Sequence, residues 1–544
     1  MDVILRGKTM KINIQKIICL ALVTIFLVST NALAFKTTNN PALKENKTAD
    51  NSFVSDDIDP LVDLAVTVKI KEIRALDKID LVGDPDFYVK MFINGVEHTS
   101  PIWHNQKYVK PNWSITQDVP DNEEFVNITI QLWDWNLGKD KMCDISINDQ
   151  ANPNKYYVAL FYNLKSGHWM GDDYIYPRSI IFDLSGYGRL NGCDDNSIYQ
   201  NDKDCELLFD ISQNDYDGDG IPYWTELNVF HTDPTVDNRG EDADHDGVPI
   251  EWEYEWGHSF GYNHSSGEIE NRWMYDPFVW EDHRNLDSDD DGLDNVEEYL
   301  ASQWGSDPFR KDIFLEIDQM ELGPNGEGVY IPELSKDLIR DAFSKHNIVL
   351  HIDDGSMGGG ELVLFDNSTT DEELQDIYFN YFLHGDPNNW RRGAFHYAII
   401  AYHSARYAGF VFGTTADGEN YTLDSLQIST DMHETFPFKN PIYNSLRRKS
   451  FNREYQREIV YAGAIMHETG HTLGVGSWNA PGCDNPLSVF PKRDWWKFHS
   501  YRSCMNYDNT YYLVDYSDGS HGKNDFDDWG NIDLTFFQTP SFWH

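Results

Sequence analysis

The chain is poor in positive charge. Its 43 Lys and Arg residues face 90 Asp and Glu residues, which leaves a formal net charge of −47. Such a surface repels phosphates, so the composition argues against a nucleic-acid partner. The acids are unevenly spread, because 27 of the 90 fall between Asp210 and Asp307 and many recur at fixed intervals. This distribution favours bound hard cations over a uniformly solvated acidic surface.

Long apolar runs are scarce as well. One run over residues 17–28 follows Lys11 and Lys16 and precedes small residues at 32 and 34, which is the pattern of a secretory signal peptide over residues 1–34. The run is short for a membrane span, and a membrane anchor is the alternative interpretation. No second run of spanning length follows. We therefore predict a secreted or cell-surface, extracellular protein.

Cysteine is rare, with six residues in 544. Export would permit disulfides. Cys193 with Cys205, and Cys483 with Cys504, are the candidate local pairs, and Cys143 is left over. Spacing does not determine connectivity, so these pairings are hypotheses.

The remaining composition indicates a multidomain folding chain, since hydrophobic residues make up 40% and aromatic residues 14% of 544 residues. β-branched and aromatic runs at 64–70, 87–93 and 126–132 predict an antiparallel β-sandwich. The expected divisions are a signal peptide at 1–34, a flexible lead-in at 35–57, a β-sandwich at 58–190, an acidic repeat segment at 191–309 and a C-terminal α/β domain at 310–544, and the motifs below indicate their functions.

Two loops of the predicted sandwich carry clustered acids, which suit the six to eight oxygen ligands of Ca²⁺. The candidate ligands are Asp80, Asp86, Asp134 and Asn136. The segments Gly-Asp-Pro-Asp-Phe-Tyr-Val at 83–89 and Leu-Trp-Asp-Trp-Asn at 132–136 resemble the conserved-region-two domain of protein kinase C. In that family paired loops bind calcium and in some members lipid, so the resemblance implies peripheral membrane or cell-surface contact. Asn136 stands where a second Asp is usual, and acidic turns without an ion are the alternative.

Three further segments place Asp at positions 1, 3 and 5, Gly at position 6 and Glu at position 12 of a loop. Three short carboxylates and a closing Glu surround a calcium ion in an EF-hand-type loop, and the Gly permits the sharp turn. The predicted ligands are Asp215, Asp217, Asp219 and Glu226; Asp242, Asp244, Asp246 and Glu253; and Asp287, Asp289, Asp291 and Glu298.

An Asp-Pro step follows each of these loops, at 233–234, 276–277 and 307–308. This recurrence resembles thrombospondin type-three calcium repeats. A sensor would expose a Met-rich groove on binding calcium, and this segment has few Met residues. We therefore expect a calcium-stiffened stalk between domains, with metal-free acidic linkers as the alternative.

Residues 310–544 change to a mixed α/β pattern. The expected strands are 312–318, 348–352, 395–402 and 426–429, and the expected helices are 332–346 and 452–473. The second helix carries His467, Glu468 and His471. Two histidines four residues apart project from one helix face and can share a Zn²⁺ ion. Glu468 is then the general base for a zinc-activated water.

The segment Ser-Cys-Met-Asn-Tyr at 503–507 resembles the Met-turn of the metzincin metallopeptidases. The resemblance implies that Met505 underlies the zinc ligands and that Tyr507 stabilises the transition state. Metzincins place a third ligand six residues after the second His, where this chain has Ser477, a poor zinc ligand. Asp484 is the first candidate for the third ligand and His499 the second.

These motifs lead to one main functional hypothesis and two alternatives. The main hypothesis is a secreted, calcium-stabilised zinc endopeptidase with a protein or peptide substrate. The second is a calcium-stiffened surface or adhesion protein with a degenerate, inactive peptidase domain, which the Ser477 departure favours. The third is a zinc hydrolase with a non-protein substrate, because a motif alone does not determine the substrate. Cleavage preference and oligomeric state have no signal in the sequence.

Overall fold

The computed structural model describes residues 58, 63–80, 82–146, 156–172, 188–193, 203–263, 268–404, 408–412, 422–439, 453–485 and 493–539. The predicted signal peptide and lead-in lie outside these ranges. No helix within them is both long enough and apolar enough to cross a membrane.

The N-terminal region is built from two antiparallel sheets. Their strands are β1 (Ala65–Ala75), β2 (Phe87–Ile93), β3 (Val96–Thr99), β4 (Tyr108–Val109), β5 (Trp113–Asp118), β6 (Phe125–Asp134), β7 (Lys141–Cys143), β8 (Val158–Asn163), β9 (His168–Gly171), β10 (Arg189–Asn191) and β11 (Cys205–Gln213). One sheet has the order β10-β11-β1-β4, with β5 also on β1, and the other has β3-β2-β6-β8-β9, with β7 also on β6.

Alternation explains why these runs pair face to face. In β6, Val126, Ile128, Ile130 and Leu132 are buried while the residues between them are partly or fully exposed, as expected for a strand with one face on the core. These side chains join the core formed by β1 and β2. The predicted antiparallel β-sandwich is confirmed.

The sandwich extends further along the chain than the predicted boundary at residue 190. Strand β11 pairs with β1 from Val66 opposite Gln213 to Ala75 opposite Cys205. Sequence reasoning assigned this strand to the repeats because its partner lies far away in the chain. The repeat segment proper begins after Gln213.

The repeat segment consists of three acidic loops and short elements between them. We call residues 215–226, 242–253 and 287–298 the first, second and third acidic loops. The regular elements are α1 (Tyr223–Thr225), α2 (Ile250–Gly257), β12 (His258–Asn263), β13 (Glu268–Trp273) and α3 (Asn295–Ala301), with single helical turns at Glu226–Phe230, His283–Asn285 and Ser302–Trp304.

The repeat segment contacts both the sandwich before it and the C-terminal region after it. His168 Nε2 of the sandwich is 2.9 Å from the carbonyl oxygen of Tyr254, and the amide of Asp312 donates to Asp291 in the third acidic loop at 2.7 Å. The sandwich also contacts the C-terminal region directly, because Arg74 Nη1 is 3.1 Å from Asp341 Oδ1. The calcium-stiffened stalk stays a prediction, and the segment that would form it packs against both of its neighbours.

The C-terminal region is a mixed sheet with helices packed on it. Its elements are β14 (Asp312–Met320), α4 (Glu333–Ser344), β15 (Val349–Asp353), β16 (Leu362–Val363), α5 (Asp371–Ile377), α6 (Arg391–Ala394), β17 (Phe395–Ala401), β18 (Gly409–Phe412), β19 (Ser425–Ser429), α7 (Thr430–Lys439), α8 (Arg453–Thr472) and α9 (Arg493–Phe498), with single turns at Tyr378–Phe382 and Phe536–Gln538. The strand order is β15-β14-β17-β19-β18, with β16 also on β14.

This sheet is parallel except for β18, which runs antiparallel to β19. Alternate residues of β14 enter two different cores. Ile313 and Leu315 pack with Ile465 of α8, while Phe314 packs on the opposite face with Leu374 of α5. The predicted strands and helices of this region match the observed ones to within a few residues at each end.

No disulfide joins the described cysteines. The Cys205 thiol is hydrogen-bonded with Cys143 instead of being linked to Cys193, and burial raises the pKa of Cys205 well above its ordinary value. The Cys483 and Cys504 side chains are buried without a bond between them. The hypothesis based on sequence spacing picked neighbours along the chain. An isolated bridge between Asp144 and Asp204, the residues next to Cys143 and Cys205, brings these two thiols together instead.

Candidate metal centres

Helix α8 presents two imidazoles to one point. Its buried face packs on the sheet and on α4. It ends at Thr472, two residues before Gly474, whose φ of 83° lies in the left-handed region. His467 and His471 lie one turn apart on this helix, with ring centroids 4.9 Å apart. His467 is 2% exposed, and His471 is partly buried.

Each imidazole is oriented by a main-chain carbonyl. His467 Nδ1 is 2.9 Å from the oxygen of Cys504, and His471 Nδ1 is 2.8 Å from the oxygen of Val475. A ring that donates from Nδ1 can offer the lone pair of Nε2 to a metal, and such an oriented ring is usual for metal-binding histidines. Both Nε2 atoms face the same space, and each can bind a metal there once it has lost its proton.

Asp484 completes the set of donor atoms. Its Oδ1 lies 3.2 Å from His467 Nε2 and 3.5 Å from His471 Nε2. Its own amide donates to the oxygen of Met505 at 3.1 Å, which fixes the loop against the turn at residues 503–507. Two imidazoles and one carboxylate suit a catalytic Zn²⁺ with an open fourth position.

The buried turn at Met505 lies directly beneath the helix. A Cβ atom added to Gly470 would overlap Met505 Sδ and come within 3.0 Å of the Tyr516 ring, so only glycine allows this approach. Tyr507, two residues further on, stacks on His467 with ring centroids 5.2 Å apart and hydrogen-bonds Asp484. Met505 thus lies against Gly470, and Tyr507 lies against His467.

Glu468 is buried beside the donor set. A Cβ added to Gly409 of β18 would lie 2.5 Å from Glu468 Oε1, so the edge strand of the described sheet passes over this carboxyl. Burial raises the pKa of Glu468, and the charges of His467 and His471 lower it only in part. A carboxyl with a raised pKa next to candidate zinc ligands has the properties of a general base.

Electrostatics in the metal-free site couple Asp484 to the imidazoles. Burial alone would raise the pKa of Asp484, but hydrogen bonds from His467 and His471 hold it well below its ordinary value. Burial lowers the pKa of His471, but the hydrogen bond and charge of Asp484 outweigh burial and raise it to about 9. Asp484 is therefore ionised and available as a ligand.

The other sequence candidates lie elsewhere. Ser477 and His499 are exposed. Sequence reasoning missed Cys483 as a donor, although its thiol lies with His471 and Asp484 in one group of possible ligand atoms. Cys483 directly precedes Asp484 in the sequence, and this position could have indicated that its thiol lies near the same site.

The three acidic loops share one hydrogen-bond pattern. The glycine at position 6 donates to the Asp at position 1, over 2.8 Å, 3.2 Å and 2.9 Å in the first, second and third loops. The residue at position 7 donates to the Asp at position 5, over 2.8 Å, 3.3 Å and 2.8 Å. The glycines have φ values of 97°, 110° and 98°. The repeated sequence spacing thus corresponds to a repeated local structure.

Carboxylate oxygens converge in each loop and lack protein partners. Oxygens of Asp215, Asp217 and Glu226 are buried without a hydrogen bond in the first loop, as are oxygens of Asp289 and Glu298 in the third. The oxygens of the first-loop ligands lie within 4.8 Å of one another. Orphaned carboxylate oxygens in such an all-oxygen set fit a Ca²⁺ ion.

Burial also keeps these acids from ionising easily in the absence of metal. It raises the pKa of Glu226 to about 8 and that of Glu253 to about 9, with nearby aspartates adding to both shifts. Clustered, desolvated carboxyls are unfavourable until a cation neutralises them.

The sandwich loops bring together the four predicted ligands, and a lysine is present among them. The amide of Asp86 donates to Asp134 Oδ1 at 3.0 Å, and Asn136 Nδ2 donates to Asp134 Oδ2 at 2.7 Å. Lys141 Nζ lies 2.9 Å from Asp80 Oδ1 and 3.5 Å from Asp134 Oδ2. Sequence reasoning missed this ammonium, which already supplies positive charge between the two carboxylates.

Two large apolar side chains project from the same loops. Val82 is 91% exposed and Leu137 is 97% exposed. They flank the acidic residues in sequence, between Asp80 and Asp86 and between Asn136 and Lys141. The acidic residues and these apolar side chains therefore share the same two loops.

Comparison with known proteins agrees with this part of the chain. Residues 64–159 match the model of the C2 domain family, whereas a comparison with curated proteins finds no match. A solved C2 domain is 11% identical, with 28% of this chain and 98% of that chain covered and a TM-score of 0.17.

Two further solved structures match the same region. A C2 domain of plant extended synaptotagmin 1 is 17% identical, with 27% of this chain and 92% of that chain covered and a TM-score of 0.16. Human GIVD cytosolic phospholipase A2 is 13% identical with a TM-score of 0.17, and 28% of this chain spans only 17% of its length. Residues 64–159 thus form a C2 domain within the β-sandwich.

Proposed function

We propose that this protein is a secreted or cell-surface zinc endopeptidase whose ligands are His467, His471 and Asp484. The observation that carries the proposal is the convergence of Asp484 Oδ1 with both Nε2 atoms, at 3.2 Å and 3.5 Å. The departure at Ser477 is compensated by a carboxylate from the following loop. When bound, zinc would supply the Lewis acidity that polarises a scissile carbonyl and acidifies water.

The residues around the ligands have distinct roles in peptide hydrolysis. The Glu468 carboxylate accepts a proton from the attacking water and transfers it to the leaving amine nitrogen. The Tyr507 hydroxyl, beside the His467 ring, donates to the oxygen that becomes negative in the transition state. Edge strand β18 offers main-chain groups above Glu468 with which an extended peptide could pair.

The adhesion hypothesis remains the alternative, and Glu468 argues against it. A structural zinc site has four protein ligands and no open position for water, so it needs no general base. This site has a buried carboxyl, that of Glu468, next to its proposed ligands. A non-protein substrate would use the same ligands but would not need β18.

The decisive experiment measures casein cleavage and zinc content together. Glu468→Gln should reduce the rate of cleavage by about 10²-fold to 10⁴-fold while zinc stays bound, because only proton transfer is lost. Glu372→Gln, an exposed change in the first turn of α5, is the matched control and should cleave normally. Equal cleavage by both variants would reject the mechanism, and a zinc-loaded wild type that cleaves nothing would favour the adhesion hypothesis.

We also propose that the first and third acidic loops bind Ca²⁺ and that the C2 domain contacts membranes. The exposed tips Val82 and Leu137 support the second part. Leu137→Asp should weaken flotation with anionic phosphatidylserine vesicles several-fold, because a charge replaces an apolar contact. Val96→Asp, at a 52% exposed site in β3, is the control. Unchanged flotation of Leu137→Asp in calcium and in chelator would argue against docking by these tips.

A further inference from the structure

The second acidic loop differs from the other two by a buried histidine. His283 Nε2 lies 3.1 Å from Asp246 Oδ2 and 3.7 Å from Glu253 Oε1. The side chains of His283 and Asp246 are 0% exposed, and that of Glu253 is 1% exposed. The three donor atoms form one group within 4.8 Å.

Hydrogen bonding does not account for this convergence. His283 Nε2 and both carboxylate oxygens of Glu253 are buried without a hydrogen bond, as are both oxygens of Asp244. Buried polar atoms are almost always hydrogen-bonded, so several such atoms facing one another point to a missing positive centre. A cation would satisfy all of them at once.

The other ring nitrogen faces an amide whose nitrogen and oxygen can exchange places. Asn295 Nδ2 lies 2.8 Å from His283 Nδ1, while Asn295 Oδ1 is buried without a hydrogen bond. Oxygen and nitrogen of an amide are interchangeable by a half-turn of the group. Turning this amide lets Nδ1–H donate to Oδ1, which directs the Nε2 lone pair at the carboxylates, as in metal-binding histidines.

The first and third loops lack this nitrogen. The first-loop group consists of four carboxylates. Near the third loop, His351 is already committed, because its Nε2 is hydrogen-bonded to Asp312 Oδ1 at 2.7 Å. An added imidazole changes the preference of a site, since nitrogen ligands favour first-row transition ions while oxygen ligands alone suit calcium.

We propose that the second acidic loop is a mixed nitrogen and oxygen site for a transition ion of the zinc class, with His283, Asp246 and Glu253 as ligands. This site is separate from His467 and His471 and does not rest on the proposed peptidase activity. It replaces the expectation of calcium at this one loop.

The test counts metal ions on the full-length chain. The protein is stripped with chelator and dialysed against micromolar Co²⁺ in millimolar Ca²⁺, and bound cobalt is measured per chain. His283→Asn should lose one equivalent relative to the wild type. His471→Ala should lose a different one, and the double variant should lose two. His351→Asn, which removes a hydrogen-bonded imidazole, should keep the wild-type count.

Two outcomes would overturn the site. One is a folded His283→Asn variant with the wild-type cobalt count, and the other is a His471→Ala variant from which excess Ca²⁺ displaces all cobalt. A loss in His283→Asn with none in His471→Ala would support this site and contradict the proposed peptidase centre.

A second measurement covers the case in which His283→Asn does not fold. A further group of possible ligands, Asp518, His521 and Asp525, is removed by His521→Asn. X-ray absorption of the zinc-loaded His471→Ala, His521→Asn chain should show imidazole scattering around the metal, because His283 would remain bound. An all-oxygen shell would reject the proposal.

Discussion

Asp484 lies close to both imidazoles, although the metzincin spacing would put a ligand at Ser477. It adopts a left-handed backbone conformation, with φ of 51°, which Asp tolerates better than most residues. Its amide is held by the oxygen of Met505, so its carboxylate is directed at both imidazoles. The carboxylate close to both imidazoles therefore comes from a loop residue further along the chain than Ser477.

Replacement of Asp484 by Asn should weaken zinc binding by about 10-fold or more, because a neutral amide is a poorer ligand than a carboxylate. Zinc affinity is measured by competition with a chromogenic chelator. Ser477→Ala is the control and should bind zinc as the wild type does. Equal affinities for all three proteins would remove Asp484 from the ligand set.

At the scale of an element, the acidic loops bury carboxyl groups whose ionisation is unfavourable without a metal. Each loop brings several carboxylates into a partly dry space and leaves oxygens unsatisfied. Burial raises the pKa of Glu226 to about 8 and that of Glu253 to about 9, from an ordinary value of 4.5. The folded loops therefore bind these protons more tightly than the unfolded chain does.

The sign of the pH dependence follows from these shifts. Without metal, the stabilisation from proton binding is present below the unfolded value near 4.5 and is lost as the pH rises through about 8 to 9. The melting temperature in chelator should fall between pH 5 and 9, and millimolar Ca²⁺ should remove the part of that fall that comes from Glu226 in the first acidic loop, where we propose calcium. A Glu226→Gln, Glu253→Gln double variant in chelator should show a shallower fall. A melting temperature that rises over this range would contradict the shifts.

At the scale of the whole molecule, a buried network of charges joins the sandwich to the α/β region. Arg74 of β1 contacts Asp341 of α4 at 3.1 Å and Glu206 of β11 at 4.0 Å, and these side chains are 7–8% exposed. Lys107 also contacts Asp341. Direct contact of this kind fixes the orientation of the C2 domain relative to α4, which packs on the helix that carries the histidines.

Removing Arg74 should therefore destabilise the protein strongly. Arg74→Ala removes one buried cationic partner of Asp341 and Glu206, which keep Lys107 and Arg189. We expect a loss of about 2 kcal/mol in the free energy of unfolding. Lys71→Ala breaks a half-exposed pair with Asp210 and should cost less than about 1 kcal/mol. Denaturant titration of both variants gives the two free energies of unfolding. Equal losses would show that the buried network does not stabilise the contact between the sandwich and the α/β region.

Local spacing was sufficient for several features of the molecule. The turn of α8 that carries His467 and His471, the acidic-loop pattern at positions 1, 5, 6 and 7, and the alternation of β6 are all set by residues within a few positions of one another. The period of a helix, a strand or a turn is a property of the local backbone, so each could be predicted before any tertiary contact was known.

Tertiary structure decided what brings distant residues together. The pairing of β11 with β1, the contact between Cys143 and Cys205, Lys141 among the C2 acids, and His283 against Glu253 each depend on the path of the chain between the partners. Sequence spacing carries no information about such encounters, because many loop paths of similar free energy connect the same two points. Asp484 lies between these cases: the sequence named it as a candidate, and packing against Met505 brought it to the imidazoles.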